Sequence, residues 1–402
     1  AYIDRQNVSF AKLQMLGDLG LSETAYGLGA SLFFVGYFFF EVPSNLALER
    51  FGASKWIARI MVSWGILSAL MAAVYDEHSF YALRFFLGVA EAGFFPGIIL
   101  YLTYWYPAEY RARFLAAFAI AVPVSTAIGA PISGLLLGLD GVMGLKGWQW
   151  LFIIEGVPSV LLGIVTWFYL TDRPEKADWL SAEQKAWLKG KLDAEVAAKQ
   201  AAKHFTFLEA LSSSKVLALS AIYFGFVASL YGMQFWLPQI VKAFGLTNAQ
   251  TGFVTAIPYA FGTVAMILWA RRSDATRERV FHVGAPLLLT ALALAVSSYI
   301  TDPTMTMVVL TVAAIGVFCT FAVFWTLPTA WLAGTAAAGA IALINSIGNL
   351  AGFLGPYLIG WVKETTGSTS TGLLVLSLLP LAAGLLVFLG SHETKTEFVE
   401  AK

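Results

Sequence analysis

The sequence predicts an all-α membrane protein of twelve helices arranged as two similar halves. Of its 402 residues, 58% are apolar and only 12% are charged, and the mean hydropathy is +0.72. A soluble core cannot bury that share of apolar side chains, so the chain needs a bilayer. Eleven apolar segments of about 20 residues, the length that spans a bilayer, follow a short helical stub.

The stub is expected to be a truncated first helix. The chain opens on Ala1 rather than on Met, and the apolar part of the first segment ends near Leu16. No charged region followed by an apolar core stands at the start, so the sequence predicts no signal peptide.

A single long polar interval divides the twelve spans six and six. The sequence therefore predicts an N-terminal six-helix bundle over residues 1–170, a cytoplasmic linker over 171–214, a C-terminal six-helix bundle over 215–390 and a cytoplasmic tail over 391–402. The linker is rich in Lys and Glu and has helical character. Spans 4 and 10 are predicted as continuous helices within 79–105 and 306–330.

Basic residues fall in alternate connections between the spans, which predicts that this side faces the cytoplasm. They are Arg50, Lys55, Arg111, Arg113, Lys185, Lys189, Lys191, Arg271, Arg272, Arg277 and Arg279. The opposite connections hold few cations, chiefly Lys12, Lys146, Lys242 and Lys363. The net charge is zero, and this pattern is typical of a membrane protein rather than of a nucleic-acid-binding protein.

The two halves resemble each other in the placement of acidic and proline motifs. Glu49 after span 2 corresponds to Asp274 after span 8, and Gly-Ala-Pro ending at Pro131 corresponds to Gly-Pro ending at Pro356. Parallel six-helix repeats place a binding site near the middle of the bilayer between the halves and favour alternating access.

Enzyme and metal chemistry are not indicated. Cys319 is the only cysteine, the four histidines lack metal-ligand spacing, and no nucleophile or zinc motif is present. A Gly-x-Gly pair at Gly27 and Gly29 has no preceding strand and no third glycine, so it does not indicate a nucleotide site. We expect no cofactor and no metal.

Four sequence stretches carry a resemblance to a known family. They are YIDRQNVSFA at residues 2–11, PSNLALERFG at 43–52, RFFLGVAEAG at 84–93 and LDGVMGLKGWQWLF at 139–152. In these stretches and along the rest of its length the chain resembles the major facilitator superfamily and, within it, the anion:cation symporters. This family includes bacterial tartrate, 4-hydroxyphenylacetate and phthalate permeases.

The resemblance implies a twelve-helix major facilitator fold, acting as a monomer in the bacterial inner membrane. It implies a symporter that imports a small organic carboxylate by rocker-type alternating access, driven by the proton gradient. It also implies cytoplasmic gate residues, which we place at Glu49, Arg50, Arg113, Asp274 and Arg277. In this chain Glu49 takes the usual acidic place, and Ala53-Ser54 delay the next base to Lys55.

Four charged side chains are predicted to lie inside the membrane. Asp4, Arg5, Arg84 and Glu91 would each cost roughly 2.5–3.5 kcal/mol if unpaired at the bilayer centre. Arg84 and Glu91 are seven residues apart on one face of span 4, and the resemblance implies that they face Asp4 and Arg5 of span 1.

These charges suggest a division of roles. An arginine holds a carboxylate with two parallel hydrogen bonds, so we expect Arg5 to bind substrate. Burial disfavours the charged form of a carboxylate, so Asp4 and Glu91 are expected to carry protons and Arg84 to couple them. A static network that pins helices 1 and 4 together is the alternative.

Neutral side chains are expected to complete the site. Tyr37 corresponds to a substrate-contacting tyrosine in the resembling symporters, and the second half offers Tyr231, Gln234, Trp325, Asn345 and Asn349. Packing remains the alternative for Tyr37 and interhelical hydrogen bonding for the two asparagines. Glu41 is expected to close local hydrogen bonds around Pro43 rather than to carry protons.

Substrate and coupling stay open at this stage. The aromatic residues suit a benzoate-like acid, whereas the amides and hydroxyl groups suit tartrate or a sugar acid. An uncoupled facilitator or exchanger of organic anions is the alternative function, in which the buried acids are structural.

Overall fold

The computed structural model describes residues 2–200, 213–331 and 336–400, and their regular structure is helical. Ten segments within these ranges are long and apolar enough to span a membrane.

In the first half the helices are α1 (Tyr2–Leu19), α2 (Glu23–Phe51), α3 (Ala53–Leu70), α4 (Glu77–Glu91), α5 (Phe94–Trp105), α6 (Ala108–Leu136) and α7 (Gly147–Tyr169). The linker contains α8 (Ala182–Gln200). The second half contains α9 (Ser214–Lys242), α10 (Asn248–Thr276), α11 (Val280–Ser297), α12 (Pro303–Phe324), α13 (Thr326–Trp331), α14 (Ala336–Thr366) and α15 (Thr369–Glu400).

Two spans predicted as continuous are broken in the structure. Span 4 consists of α4 and α5, separated at Ala92 and Gly93, and Gly93 adopts the left-handed φ of 85° that favours glycine. Span 10 consists of α12 and α13, which meet at Trp325. The first break leaves Glu91 as the last residue of α4, next to the centre of the molecule.

Polar residues mark where several spans begin. The Ser22 hydroxyl accepts a hydrogen bond from the Ala25 amide at 3.0 Å, and the Thr247 hydroxyl accepts one from the Gln250 amide at 3.2 Å. Asp302 accepts from the Met305 amide in the same way at 2.8 Å. These caps satisfy amides that have no partner in the first helical turn, so each span starts at a defined residue.

The two halves meet where α2 packs on α14 and α6 packs on α10. Glycine permits the second of these contacts. A Cβ atom on Gly134 would lie 2.6 Å from the carbonyl oxygen of Asn248, and one on Gly252 would lie 2.5 Å from that of Ala130. The absence of side chains therefore brings the α6 and α10 backbones together.

A cluster of charged residues closes one end of this interface, which we call the sealed end. Lys12 forms an ion pair with Glu23 at 2.6 Å, and Lys363 of the second half forms a second ion pair with the same carboxylate. Lys12 also donates to the Gln239 side chain, and its ammonium lies 3.3 Å from the centre of the Trp236 ring. The sealed end is the one predicted to be extracytoplasmic.

The position of Lys12 corrects one prediction. The sequence analysis placed Lys12 in a connection, but it lies within α1 and is 2% exposed. An ammonium buried to that extent needs an anion and aromatic faces around it, and Glu23, Tyr26 and Trp236 supply them.

Hydrogen bonds to backbone carbonyls continue the closure inward from the charged cluster. Trp236 of α9 donates to the carbonyl of Pro356, and Tyr26 of α2 donates to that of Phe235, at 3.1 and 3.2 Å. Ser31 of α2 donates to the carbonyl of Phe353 at 2.6 Å. Tyr26 and Ser31 thus join the two halves, and they would have to release these bonds if the sealed end opened.

We predict that Glu23→Gln opens the sealed end. The substitution removes the anion that pairs with two lysines across the halves, and breaking such a buried pair costs about 3–5 kcal/mol. Spin labels at Tyr75→Cys and Tyr299→Cys, both exposed positions, in a Cys319→Ser background would report the separation by pulsed electron resonance. The population at the longer distance should rise roughly tenfold or more.

Glu364→Gln is the matched control for this measurement. Glu364 accepts from the Thr24 amide at 2.7 Å, and the oxygen of a glutamine can still accept that bond, so the distance distribution should stay as in the wild type. A Glu23→Gln distribution identical to that of the control would contradict the role given to the cluster.

Candidate functional site

A cavity of about 270 Å³ lies between the two halves, close to the size of pockets that hold small molecules. Seven side chains selected from the sequence line it: Arg5, Tyr37, Glu91, Tyr231, Trp325, Asn345 and Asn349. Both halves contribute, which agrees with a site on the axis between two repeats.

Arg5 joins the two halves at this cavity. Its side chain comes from α1, is 8% exposed and forms an ion pair with Glu91 of α4. A second guanidinium nitrogen donates to the Tyr231 hydroxyl of α9 at 2.7 Å. One cation therefore contacts an anion of the first half and a phenol of the second.

Aromatic rings surround the Arg5 guanidinium. Its central carbon lies 4.9 Å from the centre of the Tyr2 ring, 4.8 Å from that of Phe33 and 5.3 Å from that of Tyr37. The faces of such rings attract a cation, and rigid rings hold the guanidinium plane in place. The rings thus hold the Arg5 guanidinium at the wall of the cavity.

The Arg5–Glu91 pair is only partly satisfied. The Arg5 Nε atom and the Glu91 Oε2 atom are buried and have no hydrogen-bond partner among the described residues. Buried polar networks that serve structure alone are normally complete. Because the pair also borders the cavity, its position favours a site that exchanges partners over the static network that the sequence left as the alternative.

The Glu91 carboxylate lies at the end of α4, where it needs the positive charge of Arg5 beside it. Glu91 is 2% exposed and is the last residue of the helix, where the backbone dipole has its negative end. Both the helix end and the burial act against an anion at this position. The cation beside it is what balances the charge.

Asp4 lies in a different environment from its neighbour. Its two carboxylate oxygens accept hydrogen bonds from Ser68 and Trp64 of α3, at 3.0 and 3.2 Å, and from Ser159 of α7, at 2.9 Å. These donors stabilise an anion and attach α1 to two neighbouring helices. The prediction that α1 turns both of its charges to α4 holds for Arg5, whereas Asp4 turns to α3 and α7.

Arg84 is fully buried and binds the backbone of α2. It donates to the carbonyl oxygens of Gly29 and Ala30 at 3.4 and 3.2 Å, and its guanidinium lies 5.2 Å from the centre of the Phe33 ring. Phe33 thus lies near both arginines, since Arg5 contacts the same ring. Arg84 does not line the cavity.

Glu41 is a correction to the sequence analysis. It does not close hydrogen bonds around Pro43 but accepts from the side chains of Asn345 and Asn349, at 3.1 and 3.3 Å, across the interface between the halves. The sequence could have indicated that Glu41 faces the interface between the halves, because Glu41 follows Tyr37 by four residues and so shares its helix face.

Gln234 lies outside the cavity lining, so its predicted substrate contact is not supported. It is one turn beyond Tyr231 along α9 and 2% exposed. At this level along α9 the two halves are in contact with each other, because the neighbouring Phe235 packs against Phe34 of α2.

Two tyrosines that the sequence analysis passed over also line the cavity. Tyr2 precedes Arg5 by three residues on α1 and stacks near its guanidinium. Tyr223 lies two turns before Tyr231 on α9, with its ring centre 4.9 Å from that of Trp325. Helical spacing from the chosen residues could have found both. Ser125 adds a hydroxyl, and the apolar wall is formed by Phe94, Phe95, Phe118, Phe226 and Phe321.

Glu49 and Arg50, predicted for the gate in the first half, line a second cavity of about 320 Å³ at the face predicted to be cytoplasmic. Asp172, which the sequence analysis did not select, accepts from the Ser54 amide at 2.7 Å and so caps α3. The Arg113 side chain lies outside the described residues.

The gate residues of the second half flank the connection between α10 and α11. Asp274 pairs with Arg279 at 2.7 Å, and Arg277 ends α10 with a φ of 54°. Glu278 caps α11 by accepting from the Phe281 and His282 amides at 2.7 and 3.2 Å.

The chain matches known proteins over nearly its whole length. The sequence profile described as Major Facilitator Superfamily matches residues 1–356 and, in a second match, residues 238–401. An Agrobacterium vitis protein named "Putative tartrate transporter" is 54% identical over 96% of this chain and 88% of its own length. An Acinetobacter baumannii protein named "Quinolone resistance transporter" is 46% identical over 97% of this chain and 90% of its own length.

A solved structure has the same fold. It is the bacterial homolog of the human lysosomal transporter Spinster in an inward-facing and occupied conformation, with a TM-score of 0.80 and 17% identity over 97% of this chain and 94% of that one. Together these matches confirm the predicted twelve-helix fold and the resemblance on which it was based.

We predict a pH-dependent contribution of Glu278 to stability. Burial acts to raise the pKa of Glu278, but hydrogen bonds from the Phe281 amide and from His282 outweigh it, so the pKa lies below its usual value. The stabilisation is then present above the unfolded pKa of about 4.3 and is lost as pH falls through the lower folded value.

Glu278→Gln should accordingly lower the Tm in detergent at neutral pH and leave it unchanged in acid. The Glu278 side chain is 41% exposed, so solvent screening limits the loss to at most about 2 °C. Glu175→Gln, an exposed change in the linker, serves as control. A Tm difference that persists in acid would rule out the charged cap.

Proposed function

The chain belongs to the major facilitator superfamily of membrane transporters, and on that premise we propose that it imports a small organic carboxylate together with protons. The prediction that it is a transporter rather than an enzyme is confirmed by the family. The anion, the proton coupling and the residue roles are the proposed part.

The incomplete ion pair between Arg5 and Glu91 is the observation that carries this proposal. Arg5 lines the cavity, keeps an unused donor at Nε and is paired with a carboxylate of its own protein. A substrate carboxylate has the same chemistry as the Glu91 side chain and can take over its place on the guanidinium. Arg5 therefore supplies the anion site, and Glu91 occupies it when the site is empty.

Proton uptake follows from this exchange of partners. Once Arg5 binds the substrate, Glu91 is left buried at the negative end of α4 without its cation. An isolated buried carboxylate is costly, and taking up a proton removes its charge. Substrate binding and proton binding thus support each other, which is the condition for symport.

Asp4 and Arg84 retain the roles predicted from the sequence. Asp4, held by three donors in this conformation, is the proposed second proton carrier. Arg84 is the proposed coupling residue, because its contact with Phe33 links it to the ring that also holds Arg5.

The cavity and the relatives favour a small hydroxylated acid. Asn345, Asn349 and Ser125 line the cavity together with Arg5 and offer amides and a hydroxyl group, and a relative that is 54% identical is named "Putative tartrate transporter". Tartrate is the substrate we propose to test first, ahead of aromatic acids that the Phe and Tyr walls would suit.

Alternating access fits the closed and open parts of the interface. The charged cluster of the sealed end closes the extracytoplasmic side, whereas the cavity side chains Trp325, Asn345 and Asn349 are half-buried. We propose that the protein works as a monomer in a bacterial inner membrane, with the proton gradient as its driving force and no cofactor.

We predict that proteoliposomes with an imposed inward proton gradient accumulate tartrate. Phthalate, 4-hydroxyphenylacetate and galactonate complete the screen. Arg5→Ala should abolish uptake because it removes the anion site. Glu91→Gln should lose gradient-driven accumulation but keep exchange of labelled for unlabelled substrate, because a permanently neutral side chain releases Arg5 without carrying a proton.

Arg59→Ala and Glu77→Gln are the matched controls, since each removes a like charge from the same half at a position away from the cavity. Both should transport as the wild type does. Equilibration of substrate without a gradient, with Glu91→Gln indistinguishable from wild type, would instead establish an uncoupled facilitator or exchanger.

A further inference from the structure

A second internal carboxylate, besides Glu91, accepts hydrogen bonds from polar groups of the cavity. Glu41 of α2 is 7% exposed and accepts hydrogen bonds from the side-chain amides of Asn345 and Asn349 on α14. The cavity lining includes both asparagines but not Glu41. The two amides therefore stand between the cavity and a buried acid.

Glu41 of the first half accepts hydrogen bonds from two amides of the second half, and these neutral amides do not balance the charge of an ionised Glu41. Arg5 is the cation that interacts electrostatically with Glu41, and Tyr37 and Tyr223 are the other titratable groups that face it. Each amide donates one hydrogen bond to Glu41 but brings no charge, and a buried anion is costly unless it is paired or takes up a proton.

Glu41 repeats the relation of Glu91 to Arg5. At each place an acid of the protein occupies donors that face the cavity and could bind an oxygen anion of the substrate. Each asparagine amide has two N–H donors, and Glu41 accepts one hydrogen bond from each. A substrate carboxylate bound to the same amides would therefore lie beside an ionised Glu41, and the two anions would repel each other.

We propose that Glu41 binds a proton when a second carboxylate of the substrate reaches Asn345 and Asn349. This inference rests on the proposed function and extends it to the substrate class: a dicarboxylate whose two ends are held by Arg5 and by the asparagine pair. The proton comes from the solution that fills the open cavity and resides on a carboxylate oxygen of Glu41. No covalent bond of the substrate changes.

The proposal predicts one more proton for a dicarboxylate than for a matching monocarboxylate. One end of either molecule displaces Glu91 from Arg5, but only the second carboxylate of the dicarboxylate comes beside Glu41 and requires a proton there. A dianion brings two negative charges, and the protons on Glu41 and Glu91 bring two positive charges. Together they add no net charge to the cavity and its two acids. The asparagine pair thus couples the charge of the substrate to the number of protons that accompany it.

Tartrate and threonate test this difference, because threonate is tartrate with one carboxylate replaced by a hydroxymethyl group. The full-length protein in detergent is titrated calorimetrically with each probe between about pH 6 and pH 8, where both probes are fully ionised. Each proton taken up on binding strengthens binding about tenfold per unit decrease in pH. In the wild type the affinity for tartrate relative to threonate should therefore rise as pH falls, by about tenfold per unit in the range where Glu41 is ionised in the ligand-free protein and by less below it.

Glu41→Gln should remove that rise. The substituted side chain is neutral at every pH, so the tartrate-to-threonate affinity ratio should become independent of pH while both probes still bind. Glu155→Gln is the matched control: it neutralises another buried glutamate, which accepts from Ser133 at 2.6 Å and does not line the cavity. It should keep the wild-type rise.

Failure of this inference and failure of the proposed function give different results. A wild-type ratio independent of pH, or a rise that survives in Glu41→Gln, would overturn the role of Glu41 while leaving anion binding in place. Absence of binding of either probe to the wild type would overturn the proposed function and this inference with it.

Discussion

Arg5, the buried cation beside the cavity, needs an anion, and much of the central structure follows from how the protein supplies one. Arg5 takes its anion from Glu91 of α4 and a hydroxyl partner from Tyr231 of the other half. The break at Gly93 places Glu91 at a helix end, and the rings of Tyr2, Phe33 and Tyr37 fix the guanidinium. In the proposed mechanism a substrate carboxylate takes the place of Glu91 on the guanidinium, and a proton removes the charge of the displaced Glu91.

At the sealed end, pairing of buried charges holds the two halves together. There a buried ammonium and a second lysine share the single carboxylate of Glu23 across the halves, and the pairing is completed by Gln239 and the Trp236 ring. The charged cluster of the sealed end joins the two halves through one carboxylate, whereas the Arg5–Glu91 pair borders the cavity. The two clusters are thus suited to different tasks, holding the halves together and exchanging an anion.

Sequence patterns were sufficient for the fold and for the chemistry nearest Arg5. Apolar length gave the spans, and charge in an apolar setting singled out Arg5 and Glu91. Sequence patterns failed where a residue's contacts depend on its position along the bundle axis or on side chains of the opposite half. Gln234 shares a helix face with cavity residues but lies one turn too deep, Lys12 was assigned to a connection, and the partners of Glu41 are some 300 residues away. A local sequence pattern does not indicate which residues of the other half a side chain will contact.

The account depends most on the exchange at Arg5, which infrared difference spectroscopy can observe directly. Adding tartrate to the purified wild-type protein should produce the carbonyl stretching band of a protonated carboxyl group. That part of the band which belongs to Glu91 should be missing in Glu91→Gln even though tartrate still binds. Tartrate binding with an unchanged carbonyl region, or with a band identical in the wild type and Glu91→Gln, would contradict the claim that the substrate displaces Glu91 and leaves it protonated.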